Sequence, residues 1–206
     1  MHSPNEIATW MKAGDHDSQV QLHQTEFRCR LVESWNIPVG ARMLEIGCGQ
    51  GDTTAVLASV VGPKGKILAV DLAESTYGAP VSLGDSAKRL LESPVGEQIE
   101  FRFQYDVMDR TSELDHNEFD VIVLAHCTWY FASLELLGAV LSRVRPLASR
   151  ICMSEWDLQP EQSSQFGHFL AVLIQGQIEV HKASSKANVR TPYSREQLQL
   201  ILQKTG

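Results

Sequence analysis

Three glycines at alternate positions, Gly47, Gly49 and Gly51, follow directly on the apolar run 43–46 and directly precede a helix-forming run at 53–61. Glycine takes positive φ and lets backbone approach a ligand with no Cβ in the way. Strand, glycine loop and helix in succession therefore read as a nucleotide-type site, whereas a plain strand-to-helix turn seldom needs more than one glycine. The spacing then separates the ligands. A dinucleotide fingerprint G-x-G-x-x-G starting at Gly47 requires glycine at position 52, where Asp52 stands, and no G-x-x-x-x-G-K-[ST] loop occurs. Glu45 and Asp52 bracket the loop with negative charge, which opposes a phosphate and favours a cationic group.

The segment LEIGCGQG, residues 44–51, resembles the first motif of the class I S-adenosylmethionine-dependent methyltransferases. In that family the glycine loop lies against the amino-acid part of the cofactor, which carries an ammonium and a sulfonium. The resemblance spans roughly residues 36–206. It implies an α/β fold with a doubly wound, mostly parallel Rossmann-like sheet, and S-adenosylmethionine as cofactor with S-adenosylhomocysteine as product. The implied reaction is methyl transfer to an oxygen, nitrogen or carbon of a small molecule. The alternative is a cofactor-binding protein without methyl transfer, acting as partner subunit, scaffold or catalyst of another rearrangement. A nicotinamide-dependent oxidoreductase is disfavoured by Asp52. Glu45, Gly47, Cys48, Gly49 and Gly51 are the expected contacts to the cofactor.

A second strand is expected at 66–70, after the turn signal Gly62-Pro63-Lys64-Gly65, and Asp71 ends it 20 residues beyond Gly51. That interval returns a carboxylate to the loop. A carboxylate accepts both hydrogens of a ribose diol, and its charge strengthens both bonds. In the family an acidic residue at this position does so, which gives Asp71 that part, with Leu72 beside it. A third strand is expected at 99–103. By resemblance, Asp106 accepts from the adenine amino group and the backbone N–H of Val107 meets the ring, although Asp106 is equally suited to capping the next turn.

Residues 119–125 (FDVIVLA) form a continuous apolar run of the kind covered on both faces in a parallel sheet. His126, Cys127, Thr128, Trp129, Tyr130 and Phe131 follow at its carboxyl end, where such sheets bind ligands. His126 is the candidate catalytic residue, as a base for an attacking hydroxyl or amine, or alternatively a cofactor contact. The aromatics either face a sulfonium methyl or plug the core. A helix at 134–144 and a fifth strand at 150–154 complete this part. Residues 160–182 read as one long helix inserted above the strand ends, either an apolar lid over the substrate or a dimerisation helix. The last helix, 192–204, is started by Ser194 and supported by Glu196. Relatives continue into two more strands, for which this sequence leaves no residues. That implies a shortened form, or a sheet edge that a partner chain covers.

At the other end, residues 1–17, with Gly14, Asp15 and Asp17, form a flap or short helix. Residues 18–35 form an amphipathic helix with Ser18 as N-cap, whose polar His23, Gln24 and Glu26 face either a substrate or solvent. A chain of 206 residues with 43% hydrophobic content suits a single domain. Its parts are N-terminal cap helices (1–35), a cofactor-binding core (36–157), a lid insertion (158–190) and the last helix (191–206). A net charge of −7 argues against a nucleic-acid partner. Four cysteines without C-x-x-C spacing indicate neither zinc nor disulfides. No metal is expected either: His126 and Trp156-Asp157 stand where catechol-type relatives hold magnesium, and the N-P-P-Y motif of nucleic-acid amino-methylating enzymes is absent. No signal peptide or membrane span is apparent, so a cytoplasmic protein is expected, acting on a small-molecule substrate and free to form a homodimer.

Overall fold

The computed structural model describes residues 2–11, 18–116, 118–183, 185, 187 and 189–205. Gly14, Asp15 and Asp17 of the expected flap lie outside these residues, as does Gly206. The elements follow one another as α1 (Pro4–Met11), α2 (Ser18–Ser34), β1 (Arg42–Ile46), α3 (Asp52–Val61), β2 (Lys66–Val70), α4 (Leu83–Leu91), β3 (Ile99–Arg102), α5 (Val107–Arg110), β4 (Phe119–Ala125), α6 (Leu134–Val144), β5 (Ala148–Ser154), α7 (Phe166–Glu179) and α8 (Arg195–Thr205). The described strands form one sheet in the order β3-β2-β1-β4-β5, and every pairing is parallel. This is the doubly wound Rossmann-like arrangement expected from the motif.

Side chains alternate across the sheet with the period of two that a strand imposes. Met43, Ile67, Ala69, Val121 and Val123 pack with Val32 of α2 and Ala55, Val56 and Leu57 of α3 on one face. Leu44, Ile46, Leu68, Val70, Ile122 and Leu124 pack with Leu137, Val140 and Leu141 of α6 and Leu198 of α8 on the other. With both faces covered, the inner strands are apolar almost throughout, which is why β2 and β4 were readable as continuous runs. The strand order reverses between β1 and β4, so their carboxyl ends diverge into a crevice at a topological switch point.

Several boundaries differ from the sequence expectations. The single helix expected over 160–182 is a 3-10 turn, Ser163–Gln165, followed by α7. The Gln165 side-chain oxygen accepts the N–H groups of Glu161 (2.7 Å) and Gln162 (3.0 Å), folding this stretch into a local turn that does not extend the helix upstream. In α8, Ser194 and Gln197 form the reciprocal cap: Gln197 N–H donates to Ser194 Oγ (3.3 Å) and Ser194 N–H to Gln197 Oε1 (2.9 Å). Gln197 stands at the position a capping box requires, and Glu196 adds a carboxylate in the first turn that also interacts with the Ser194 side chain. Helix α4 starts at Leu83, where Ser82 caps Asp85 N–H at 3.1 Å.

Candidate functional site

The glycine loop crosses the carboxyl end of the sheet between β1 and α3. Gly47, Gly49 and Gly51 all have positive φ, at 73°, 54° and 88°. Two of the three owe their identity to packing as well as to φ. A Cβ on Gly47 would stand 2.7 Å from Cys127 Cβ, and one on Gly51 would stand 3.1 Å from the Phe101 ring. A Cβ on Gly49 would meet nothing within 4 Å. Gly49 is therefore the position where backbone borders free space, as a ligand approaching the main chain requires. Gly47 and Cys48 donate their N–H groups to Val70 O at 2.9 and 3.1 Å, tying the loop to the end of β2.

Asp71, just past that end, reaches back to the loop. Its Oδ2 accepts the Gly49 N–H (2.9 Å) and its Oδ1 the Ala73 N–H (2.9 Å), which fixes the carboxylate and leaves a lone pair on each oxygen. Leu72 beside it is a large apolar residue, 69% exposed. Asp106 caps α5, its Oδ1 accepting the Met108 N–H at 2.8 Å, so the capping alternative describes one of its two oxygens. The Val107 side chain is buried in the core.

Glu45 lies beneath the loop, 2% exposed, and its Oε2 accepts the Thr54 hydroxyl at 2.6 Å. Burial pushes its pKa up to about 8, against the opposing effects of the Thr54 hydrogen bond and the Arg28 charge. Asp52 and Asp71 add further negative charge to Glu45's surroundings, so the site as a whole favours a cation. Burial likewise pushes the Cys48 and Cys127 thiols well above the usual range, which makes them packing groups and not nucleophiles. Helix α2 is tied to this region by Gln21 Nε2, which donates to Asp52 Oδ1 at 2.9 Å.

Across the crevice, His126 adopts φ 54° and donates its N–H to Ser154 O at 2.9 Å, extending the β4–β5 ladder by one bond. Its ring stacks on Trp156 (centroids 4.7 Å apart) and lies 5.6 Å from Phe27. Trp156 in turn stacks on Phe27 at 5.4 Å and meets the edge of His168 of α7 at 5.6 Å. The aromatic wall is therefore supplied by α2 and by the segment after β5. Of the rings expected there from residues 129–131, Trp129 is buried in the core and Phe131 packs against the same cluster. His23 and Gln24 are exposed and Glu26 is half-buried. Sequence reasoning missed Phe27, Trp156 and the buried Glu155. The available signal was that Glu155 and Trp156 follow β5 directly, at the same sheet edge as His126. Among the described residues no group of three or more His, Cys, Asp or Glu side chains is arranged to hold a metal ion.

Comparison with known proteins agrees with this geometry. Residues 5–92 match the family model for protein-L-isoaspartate(D-aspartate) O-methyltransferase (PCMT). Among solved structures, a cyclopropane-fatty-acyl-phospholipid synthase-like protein from Lactobacillus casei ATCC 334 is 34% identical with a TM-score of 0.90. That match covers 98% of this chain and 74% of the other. Methyltransferase phomM' of Diaporthe leptostromiformis is 24% identical over 157 residues, 67% of this chain and 41% of that protein. Demethylmenaquinone methyltransferase of Staphylococcus carnosus is 26% identical over 131 residues, 62% of this chain and 48% of that protein. The chain thus spans about half the length, or less, of the curated relatives it matches. With a G-x-G-x-G loop at the switch point of a parallel sheet and an acidic residue bonded to that loop from the end of β2, the chain belongs to the class I S-adenosylmethionine-dependent methyltransferase family.

Proposed function

We propose that this protein transfers a methyl group from S-adenosylmethionine to an oxygen, nitrogen or carbon of a small molecule, in the cytoplasm. The observation that carries the reading is the bond between Gly49 N–H and Asp71 Oδ2, which brings the ribose-binding carboxylate to the one loop glycine that borders free space. The residues present fit the cofactor. Gly47, Cys48, Gly49 and Gly51 hold its amino-acid part above the buried Glu45, with Asp52 and Asp71 offsetting the positive charge. Asp71 takes the ribose diol with Leu72 beside it, the backbone N–H of Val107 meets the adenine ring, and the free oxygen of Asp106 takes the adenine amino group.

When bound, the cofactor supplies an electrophilic methyl group. The protein's contribution is proximity and orientation, which can supply several kcal/mol of barrier reduction when the reacting atoms are held in line. His126, at the end of β4, is placed to take the acceptor's proton, and Phe27 and Trp156 exclude water beside it. Helix α7, which touches this wall through His168, serves as the lid over the acceptor. The free and buried state of Cys29, Cys48, Cys127 and Cys152 suits a reducing compartment, and no described helix is long and apolar enough to cross a membrane. Calorimetric titration with S-adenosylmethionine and with NADH tests the cofactor assignment. Saturable heat with S-adenosylmethionine alone is the expected result, and binding of NADH alone would overturn it.

A further inference from the structure

Resting on the methyl-transfer reading, we propose that Glu155 is the positioning residue of the acceptor site: it holds the His126 imidazole with its proton on Nδ1 and leaves Nε2 to take the proton of an acceptor O–H or N–H group. The Glu155 side chain is 3% exposed at the end of β5. Its Oε2 accepts the Thr128 N–H (2.9 Å), the Thr128 hydroxyl (2.8 Å) and the Trp129 N–H (3.4 Å), and its Oε1 accepts the Trp156 N–H (3.0 Å). A carboxylate saturated by the protein in this way has little capacity left for a substrate. It acts through its neighbour, and Oε1 stands 3.6 Å from His126 Nδ1.

The histidine is held in an unusual state. Both ring nitrogens are buried without a hydrogen-bond partner among the described residues, and each such group costs about 1–3 kcal/mol. The backbone at His126 is left-handed, a conformation that costs a non-glycine residue on the order of 1–3 kcal/mol and persists where the surroundings enforce it. The turn that follows aims Thr128 N–H and Oγ1 at Glu155, so the same bend positions both members of the pair. Closing 3.6 Å to a hydrogen bond needs a shift of about half an ångström. Nδ1 then has its partner, and Nε2 is left for the acceptor.

The step balances. The acceptor heteroatom bonds to the methyl carbon as the carbon–sulfur bond breaks with its electron pair on sulfur, and the proton released by the acceptor moves to Nε2. The positive charge lost at sulfur reappears on the imidazolium, beside the Glu155 carboxylate, so charge is moved within the site and not created in it. The other titratable groups around the ring are Cys127 next in sequence and His168 across Trp156. Glu45 and Asp71 exert their charge on Cys127.

Nitrogen-detected NMR titration of the histidine side chains tests this without a known acceptor, using the wild-type chain, Glu155→Gln and Glu155→Asp. The expected result is a neutral His126 in the Nδ1–H form, moving towards the Nε2–H form in Glu155→Gln and less so in Glu155→Asp. An unchanged proton position in Glu155→Gln would overturn the proposal. Should that variant fail to fold, an unchanged Glu155→Asp would do the same. Titration of the same proteins with S-adenosylhomocysteine separates the two readings. Affinity in Glu155→Gln within about threefold of wild type is expected, and a tenfold loss confined to the variant would make Glu155 a cofactor ligand and overturn its role here. Failure of the wild type to bind would remove the methyl-transfer reading while leaving the histidine titration to stand on its own.

Discussion

Substituting alanine at Gly49 and at Gly47 separates ligand contact from folding within a single loop. At Gly49 the added Cβ meets nothing within 4 Å, so the cost to stability is the left-handed backbone alone, about 1 kcal/mol. For a chain of this size that lowers the melting temperature by about 2–4 °C. The same methyl group occupies the space given to the cofactor, and an overlap worth about 1–3 kcal/mol weakens S-adenosylhomocysteine binding on the order of 10- to 100-fold. At Gly47 the left-handed backbone cost is joined by the 2.7 Å approach to Cys127 Cβ. Cys127 is itself held in place by its thiol, which donates to Ile46 O at 3.2 Å. The sum is about 3 kcal/mol, a fall in melting temperature of about 6–12 °C. Thermal denaturation and calorimetric titration on the two variants read both quantities. Gly49→Ala binding S-adenosylhomocysteine as tightly as wild type, or destabilised as much as Gly47→Ala, would refute the argument that main chain comes closest to the ligand at Gly49.

Asp71→Ala is expected to weaken cofactor binding at least tenfold by removing both ribose acceptors, and Asp71→Asn by less; unchanged affinity in a calorimetric titration would refute the ribose role. Glu45 gives a pH dependence of defined sign. Its folded pKa of about 8 exceeds its ordinary value of 4.5, so the folded state holds the proton more tightly, and stability is full below about pH 4.5 and falls as pH rises towards 8. The loss is on the order of a few kcal/mol, and Glu45→Gln should flatten it in denaturant titrations across that range; a parallel slope in the variant contradicts the assignment. On α7, Leu170 and Ile174 are exposed. The double change to serine should alter folding stability by about 0.5 kcal/mol or less per site. It should also leave S-adenosylhomocysteine affinity unchanged, and a collapse of either would show that the helix is part of the cofactor core and not a lid.

The cofactor half of the site was legible in the sequence because its determinants are local. Three glycines, a continuously apolar strand and an aspartate one crossover later lie within 25 residues, Gly47 to Asp71, and the parallel sheet has few ways to arrange them. The acceptor half was legible only in part. His126 was found from its place after β4, but its partner Glu155 comes from another strand, and the pairing depends on β4 and β5 being adjacent and in register from Phe119↔Ala148 to Ala125↔Ser154. The aromatics at 129–131 were left between facing the ligand and plugging the core, and a one-turn helix, Thr128–Tyr130, carries Trp129 into the core. Phe27 and Trp156 take its place from elements distant in sequence. The length of α7 was overread: residues 161–165, EQSSQ, carry no apolar side chain to continue the helical spacing, and Gln162 and Gln165 bond to backbone there.

A crystal structure with S-adenosylhomocysteine bound tests the central claim most directly. The account predicts the amino-acid part against Gly47–Gly51 with main chain closest at Gly49, and both ribose hydroxyls on Asp71. It places the adenine beside Leu72 and Val107, and the sulfur facing the His126 side of the crevice. A ligand seated away from the glycine loop, or a ribose with no contact to Asp71, would contradict it.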